Sequence, residues 1–555
     1  MAQESRNRTP LIYLGVAVFL FLLFAVRIAY LVIVEKDGSR DYQDPVVAHT
    51  VVRGTISDRN GQVLASQTGK WALYFRLSVM DDINQAAMVV SPHIGMGVDE
   101  ILAQAGKYTT YALIKDNLTM DEASSLTNAI EEAGMQNCIN VDKREGRSYA
   151  SLFHACQLIG FVNREGVGSE GIEYQYDDIL SPYPGLGEEV TYGDDITLTL
   201  DMGIQYLVDV EVQNIAYEHD PDYIMALVAD ASTGEVLAMS SYPWYDLNHY
   251  NVSTADERLN RTLAYNYEPG SVFKIFTLAK CIEEGIDVTT PFVCDGSETF
   301  TVDGSTFTIS CHTSHGEVDG RGMIAQSCNG AIANWCLQLS DEDFYDYLRL
   351  LGFGSRPDLA LPAVSSGFLA PPSAWSARSK ATIAFGQEIG VNALQIVCAA
   401  TALANGGLEM PLSVVKEIRE PDGTVVYQNG DGIEGRRVMD ARTAATIIDY
   451  MESAVAEGTA VKAGLDNVRV AAKTGTAEII NPETGSYADG TNLASTLAIV
   501  PADSPRYVVY LAVSAPRGGT VWGADIAAPA VGRIIAGMAR QGHIPTSDQG
   551  LIQLN

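Results

Sequence analysis

The feature that most constrains this chain is an apolar run near its N-terminus, LIYLGVAVFLFLLFAVRIAYLVIV. It spans 24 residues from Leu11 to Val34 and holds one charge, Arg27. As a helix rising about 1.5 Å per residue it would reach roughly 36 Å, enough to cross a hydrocarbon core ~30 Å thick. A cleavable leader has a shorter apolar region followed by a small-x-small site, and no clear site of that kind follows. The run is therefore expected to be one uncleaved transmembrane anchor. Arg27 would snorkel to the outer interface or meet a polar group on a partner helix. Arg6 and Arg8 precede the run and Lys36 and Arg40 follow it, so charge alone hardly orients it.

The 555 residues allow roughly two to four domains, and a 47% hydrophobic content supplies a core. With 36 Lys+Arg against 69 Asp+Glu the formal net charge is −33. A surface so acidic repels phosphates and no basic run offsets it, so nucleic acid is not expected as a partner. The eight cysteines include no CxxC pair and do not read as a disulfide framework. Cys294 and Cys311 bracket a hairpin-like loop, CDGSETFTVDGSTFTISC, and could be bridged outside the cell. With His312 and His315 they also offer four possible zinc ligands, but the spacing matches no strong zinc pattern and no metal is expected.

Beyond the anchor, Asn60-Gly61 sits between two alternating runs and predicts a hairpin. TMDEASSLTNAIEEAG predicts a helix with a Thr119/Glu122 capping box and a stop at Gly134. This mixed region, 35–192, holds no catalytic cluster and reads as a stand-off module between membrane and catalyst. From residue 193 a second region begins. DMGIQYLVDVEVQNIAYEH predicts a helix and YIMALVADASTGEVLAMSS a strand pair. VAAKTGTAEII, LASTLAIVPA and RYVVYLAVSAP predict three more strands, joined by turns at Asn481–Gly485 and Ala502–Pro505. The stretch 322–407 between these ends is largely helical. An antiparallel sheet built from both ends would bring Ser271 to Lys473, 202 positions apart.

Chemistry is suggested first by NYEPGSVFKIFTLAKCIEEG. Ser271 and Lys274 are neighbours on one helix face, just inside a start marked by Pro269-Gly270. The positive end of the helix disfavours a protonated lysine, so Lys274 is a plausible base, and it aims the Ser271 N–H at a developing oxyanion. Ser and Lys are common, and Ser413 and Lys416 repeat the spacing. That second match lies in an alternating strand, where residues three apart point to opposite faces. A second element is Ser327-Cys328-Asn329, whose hydroxyl could relay a proton and whose amide could bind a substrate carbonyl. Taken alone it is equally a helix cap with a turn asparagine. The third is Lys473-Thr474-Gly475-Thr476, which occurs once. Gly475 would let a substrate backbone approach and pair as an extra strand. Lys473 and the hydroxyls of Thr474 and Thr476 suit a carboxylate, and the Thr476 N–H could complete the oxyanion hole. Alone, this is a polar edge strand.

In this order and these contexts the three elements resemble the SxxK, SDN and KTG signature of penicillin-binding proteins and class A β-lactamases. Cys328 stands where the signature has Asp, which leaves the outer Ser and Asn in their roles. RGTISDRNGQVLA, YEPGSVFK, HGEVDGRGMIAQSCNGA, GQEIGVNALQIVCAATALANGG and KTGTAE extend the resemblance, from Arg53 to about Pro516, to class B penicillin-binding proteins. That resemblance implies an α/β (α+β) fold. A cytoplasmic tail (1–10) and a single transmembrane anchor (11–34) would precede a mixed α/β pedestal of dimerisation type (35–192). A transpeptidase domain (193–555) would follow, an antiparallel sheet flanked by helices as in serine β-lactamases. It implies a bacterial membrane location with the N-terminus cytoplasmic and the catalytic domain outside. It also implies an acyl-enzyme on Ser271 with Lys274, Ser327, Asn329 and Lys473 in catalytic roles, Thr474, Gly475 and Thr476 binding substrate, and the N–H groups of Ser271 and Thr476 as the oxyanion hole. Peptidoglycan stem peptides would be cross-linked, β-lactams would acylate the serine, and no cofactor is required. The implied partner is a polytopic membrane glycosyltransferase of the division or elongation machinery. One rival uses the same residues, a D,D-carboxypeptidase or β-lactamase-type hydrolase; a second, of another class, is a penicillin-binding sensor or a scaffold for such a glycosyltransferase.

Overall fold

The structure, a computed structural model, describes residues 50–184, 190–430, 434–480 and 487–546, with Val18, residues 21–24 and Arg27. The expected tail, nearly all of the expected anchor, and the expected turn at Asn481–Gly485 lie outside the described residues. Among the described residues no helix is long and apolar enough to cross a membrane. The chain divides into two units, 1–51 with 184–191, and 52–183 with 192–555. The first holds Thr50 and Val51 of a short strand and Val190 and Thr191 of the strand it pairs with. The second holds both hydrophobic cores and the two large sheets.

The C-terminal half, from residue 193, is organised by a five-stranded antiparallel sheet drawn from both ends of its sequence. Its strands are β1 (Tyr223–Asp230), β2 (Val236–Tyr242), β3 (Ala471–Ile480), β4 (Tyr487–Val500) and β5 (Tyr507–Ser514), in the order β3-β4-β5-β1-β2. Strand β5 reads YVVYLAVS and buries every residue, as a central strand covered on both faces must. Strand β3 is an edge, with one side of its backbone left for other partners. The helices that matter here are α1 (Met202–His219), α2 (Lys274–Glu283), α3 (Gly320–Gln326), α4 (Asn329–Cys336), α5 (Ala393–Ala404), α6 (Ala441–Ala456) and α7 (Ala527–Arg540). Helices α1 and α7 pack on each other and on the sheet, and α5 packs on β5 and β1. The α5 sequence ALQIVCAATALA is apolar on nearly all sides, which suits a helix enclosed within the core. The stretch expected to be largely helical is broken by irregular backbone between Leu350 and Ser379, apart from one 3₁₀ turn at Pro372–Ala374.

The N-terminal half forms as the local signals predict. Ile56–Ser57 and Val63–Phe75 make the hairpin, with Gly61 at φ +84° and the Asp58 carboxylate accepting the N–H groups of Asn60 and Gln62. Helix Met120–Glu132 carries the Thr119/Glu122 capping box. Leu73, Phe75, Val90, Ile101, Leu126 and Ile130 build a separate small core. Its large sheet is not made from this half alone. Asp195–Leu198, Val415–Arg419 and Val425–Gln428 complete it, in line with Ile56–Ser57 and Val63–Phe75. Asp58 also accepts the N–H of Met202 at the start of α1. Beside this junction, fully buried Glu173 pairs with Arg53 at 2.7 Å and Arg147 at 2.6 Å, and Arg53 also reaches Asp177 at 2.5 Å.

Candidate active site

Ser271 lies on a 3₁₀ turn, Gly270–Phe273, that leads directly into α2 at Lys274. The expected helix start is thus one tight turn followed by the α-helix. Gly270 takes φ +59°, and a Cβ there would stand 2.9 Å from Ala477 Cβ and 3.3 Å from Thr476 O. The missing side chain lets the turn press against the edge strand β3. Phe273 is buried, with its ring 4.9 Å from that of Phe353, and holds the turn from the core side. Ser271 itself is half-buried.

Lys274, Ser327 and Lys473 meet at one point. Both lysines are fully buried. Lys274 Nζ donates to Ser327 O at 2.5 Å and to Ser327 Oγ at 3.1 Å. Lys473 Nζ donates to the same Oγ at 3.0 Å and to Thr474 O at 2.8 Å. Among the described residues no carboxylate pairs with either amine. Burial lowers Lys274 to about 8, against a weaker opposing pull from Cys328 and Cys311. Burial, followed by the neighbouring Lys274 charge, lowers Lys473 well below the usual lysine value. Ser327 ends α3 in the left-handed region at φ 62°, ψ 41°, a conformation costly for a non-glycine residue and often found at functional sites. That kink turns its hydroxyl to both amines.

The remaining expected residues are close by, with some different partners. Asn329 opens α4, and its side-chain amide donates to Ser310 O at 2.9 Å. A Cβ on Gly475 would stand 2.5 Å from Ser495 Oγ, 2.9 Å from Val272 Cγ2 and 3.2 Å from Pro269 O. Its missing side chain therefore admits the Ser271 turn, a reason different from the expected clearance for a substrate backbone. Thr474 Oγ1 donates to Thr459 Oγ1 at 2.8 Å, and Thr476 Oγ1 accepts the Gly523 N–H at 3.1 Å. Thr459, Gly523 and Ser310 carry no sequence signal; they are found only because distant backbone is folded onto the motifs. In the second serine–lysine match only Lys416 lies in a strand, Val415–Arg419, with Ser413 just before it; Ser413 Oγ donates to Val415 O and Lys416 Nζ to Arg59 O, so the two do not meet. Hollows of about 330 and 340 Å³, lined in part by Tyr206 and Arg533 and by Arg349 and Arg436, include none of the cluster's residues.

The hairpin forms as Ser297–Val302 paired with Ser305–Ser310, turning through Asp303 and Gly304. All eight cysteines are free, so Cys294 and Cys311 are not bridged. His312, one of the four possible zinc ligands, instead meets Trp522 edge-on with ring centroids 4.7 Å apart. Cys328 joins Cys294, Cys311 and His315 in its place, the ligand-type atoms of all four lying within 4.8 Å of one another. A hydrogen bond from Cys328, aided by the N–H groups of Gly330 and Asn329, holds the Cys311 thiol below its usual value.

The sequence matches the penicillin binding protein transpeptidase domain family over residues 224–536 and the penicillin-binding protein dimerisation domain family over residues 48–191. It is 29% identical over 560 residues to penicillin-binding protein PbpB of Mycolicibacterium smegmatis, covering 89% of this chain and 84% of that protein. It is 28% identical over 565 residues to the "Probable peptidoglycan D,D-transpeptidase PenA" of Neisseria gonorrhoeae, covering 96% and 92%. Its structure is similar to that of penicillin-binding protein 3 from Mycobacterium tuberculosis complexed with ampicillin, with a TM-score of 0.71 and 25% identity over 91% of this chain and 98% of that one.

Proposed function

The chain belongs to the penicillin-binding protein transpeptidase family, in its class B, and from that premise we propose that Ser271 is the acylated nucleophile of a peptidoglycan D,D-transpeptidase. The observation that carries the assignment of residues is the convergence of Lys274 and Lys473 on Ser327 Oγ. Two buried amines sharing one hydroxyl, with no carboxylate to balance them, favour a neutral amine, and a neutral amine is a base.

Ser271 Oγ attacks the carbonyl of the terminal D-Ala–D-Ala bond, and its proton passes to neutral Lys274. The oxyanion is held by the N–H groups of Ser271 and Thr476. In an extended strand a residue's N–H and C=O point to the same edge, and the Thr476 carbonyl faces Gly270, so its N–H lies on the edge facing the Ser271 turn. Such a donor typically contributes about 10²–10³ in rate. The C–N bond breaks, and D-Ala leaves with a proton delivered through Ser327 from the Lys274–Lys473 pair. The amine of a neighbouring stem peptide then attacks the ester and gives a proton to the same pair, which passes it to Ser271 Oγ as the ester C–O bond breaks, freeing Ser271 and leaving a new amide cross-link. The Asn329 amide orients the donor peptide. Thr476 Oγ1 accepts from Gly523 and so keeps its own proton for the substrate's terminal carboxylate, beside Lys473 and Thr474. Gly475 contributes by seating the Ser271 turn. No cofactor enters these steps.

The apolar run 11–34 would anchor the protein with residues 1–10 in the cytoplasm and the catalytic domain outside. Region 35–192 would act as pedestal and region 193–555 as transpeptidase, with a polytopic glycosyltransferase supplying the glycan strand. The test is intact mass of the full-length protein in detergent after exposure to a penicillin, beside Ser271→Ala. One adduct that is absent from the variant supports the assignment. No adduct on a folded wild type overturns it and favours the scaffold.

A further inference from the structure

Four side chains from separate turns of the chain converge directly behind Ser327. Cys294 ends the strand Phe292–Cys294, Cys311 follows the hairpin, His315 lies in the next turn, and Cys328 stands between Ser327 and Asn329. Cys294 Sγ is 3.7 Å from Cys311 Sγ, and Cys311 Sγ is 3.7 Å from Cys328 Sγ. His315 Nδ1 is 3.4 Å from Cys294 Sγ. We propose that these four residues bind one zinc ion in a closed tetrahedral site.

The spacing of the atoms favours this reading. With Zn–S near 2.3 Å and Zn–N near 2.0–2.1 Å, a tetrahedron has S–S edges of about 3.8 Å and S–N edges of about 3.6 Å. A disulfide between any two of the thiols requires about 2.05 Å and would leave the other two ligands without a purpose. Three thiolates and an imidazole select a soft or borderline ion over magnesium or calcium, which take oxygen ligands. The surroundings suit thiolates. Cys311 Sγ accepts the N–H groups of Asn329 at 3.2 Å and Gly330 at 3.4 Å, and Cys328 Sγ accepts that of Ala331 at 3.4 Å. Such second contacts orient ligands and stabilise their charge. The turn carrying His315 is itself fastened, because Cys294 O accepts from the His315 N–H at 3.2 Å and from Ser314 Oγ at 3.0 Å. Cys294 and Cys328 are buried while Cys311 and His315 are half-exposed, which leaves an entry side for the ion. On binding, each thiol releases its proton to solvent, and three thiolates, a neutral imidazole and a dication leave a net charge of −1.

Four protein ligands leave no open position, so the ion acts structurally and not as a Lewis acid. Its place in the fold defines what it holds. It ties the excursion 292–318 to the turn that carries Ser327 and Asn329, and the same excursion touches Trp522, beside Gly523, through His312. Cys328 is thereby a positioning residue for the hydroxyl that receives both catalytic lysines.

The test is metal analysis of the full-length protein, reduced, supplied with zinc and dialysed. Wild type and Cys398→Ser should each retain one zinc per chain, and Cys294→Ser and His315→Ala should lose it. Cobalt added to the reduced apoprotein should give the absorption of a tetrahedral thiolate complex, a readout that does not depend on the variants folding. Chelation should slow acylation by a penicillin about tenfold or more, with recovery when zinc is returned. No zinc retained by the reduced wild type, retention unchanged in both ligand variants, or a wild type lighter by two hydrogens that never takes up metal after reduction would each overturn the proposal.

Discussion

At the scale of single residues, the proposed mechanism depends on keeping an amine neutral in a place where water cannot stabilise its charge. Lys274 is lowered to about 8 by burial. Its neutral, basic fraction therefore grows as pH rises through 8. Acylation of Ser271 by a β-lactam should accelerate over that range and level off above it, measured as the second-order rate against pH. Burial also has a stability cost. The unfolded chain binds a proton at this lysine up to about 10.5 while the folded chain releases it near 8. Lys274→Met should therefore be more stable than wild type and inactive, and the wild-type deficit should shrink between those two values, measured by denaturant unfolding. The identities of Ser271, Lys274, Ser327, Asn329 and Lys473 are legible in the sequence, because each lies in a short motif with a recognisable local setting. Their partners are not. Thr459 and Ser310 become relevant only through hydrogen bonds to Thr474 and Asn329 that join residues 15 and 19 positions apart.

At the scale of elements, catalytic geometry rests on how closely the Ser271 turn approaches β3. Gly475 has no room for a Cβ, with Ser495 Oγ and Val272 Cγ2 both within 2.9 Å of where it would be. Gly475→Ala should push the turn off the strand. The expected cost is about 1–3 kcal/mol in stability, read by thermal unfolding, together with slower acylation. The strands themselves are plain in the sequence, since β1 and β5 are unbroken apolar runs, and so is the helix closed by Thr119 and Glu122. The pairing of Val415–Arg419 with Asp195–Leu198 is not, because a strand's alternation states which face is buried but not which neighbour it meets.

Across the whole molecule, Asp58 joins the two halves by accepting the Met202 N–H, and a buried ion-pair cluster holds the N-terminal half together beside that junction. Glu173 is fully buried between Arg53 and Arg147. Glu173→Ala would leave two buried guanidinium groups without their shared carboxylate, and about 3–5 kcal/mol should be lost. The loss should be read as a lower unfolding midpoint that added salt does little to change, because buried pairs are weakly screened. The sequence by itself determined the family, the main strands and the Ser271 and capping-box helices, and the apolar run near the N-terminus, and it pointed to the acylating chemistry proposed above. Each is carried by neighbours along the chain, whose spacing is set by backbone geometry. Only the tertiary structure decided that Cys328, 17 positions from Cys311, faces the same point as Cys294 and His315, while His312 turns to Trp522. Only it decided that strands from the catalytic half complete the N-terminal sheet. Such meetings are chosen by which distant surfaces can be buried together, and that choice leaves no periodicity in the chain to read.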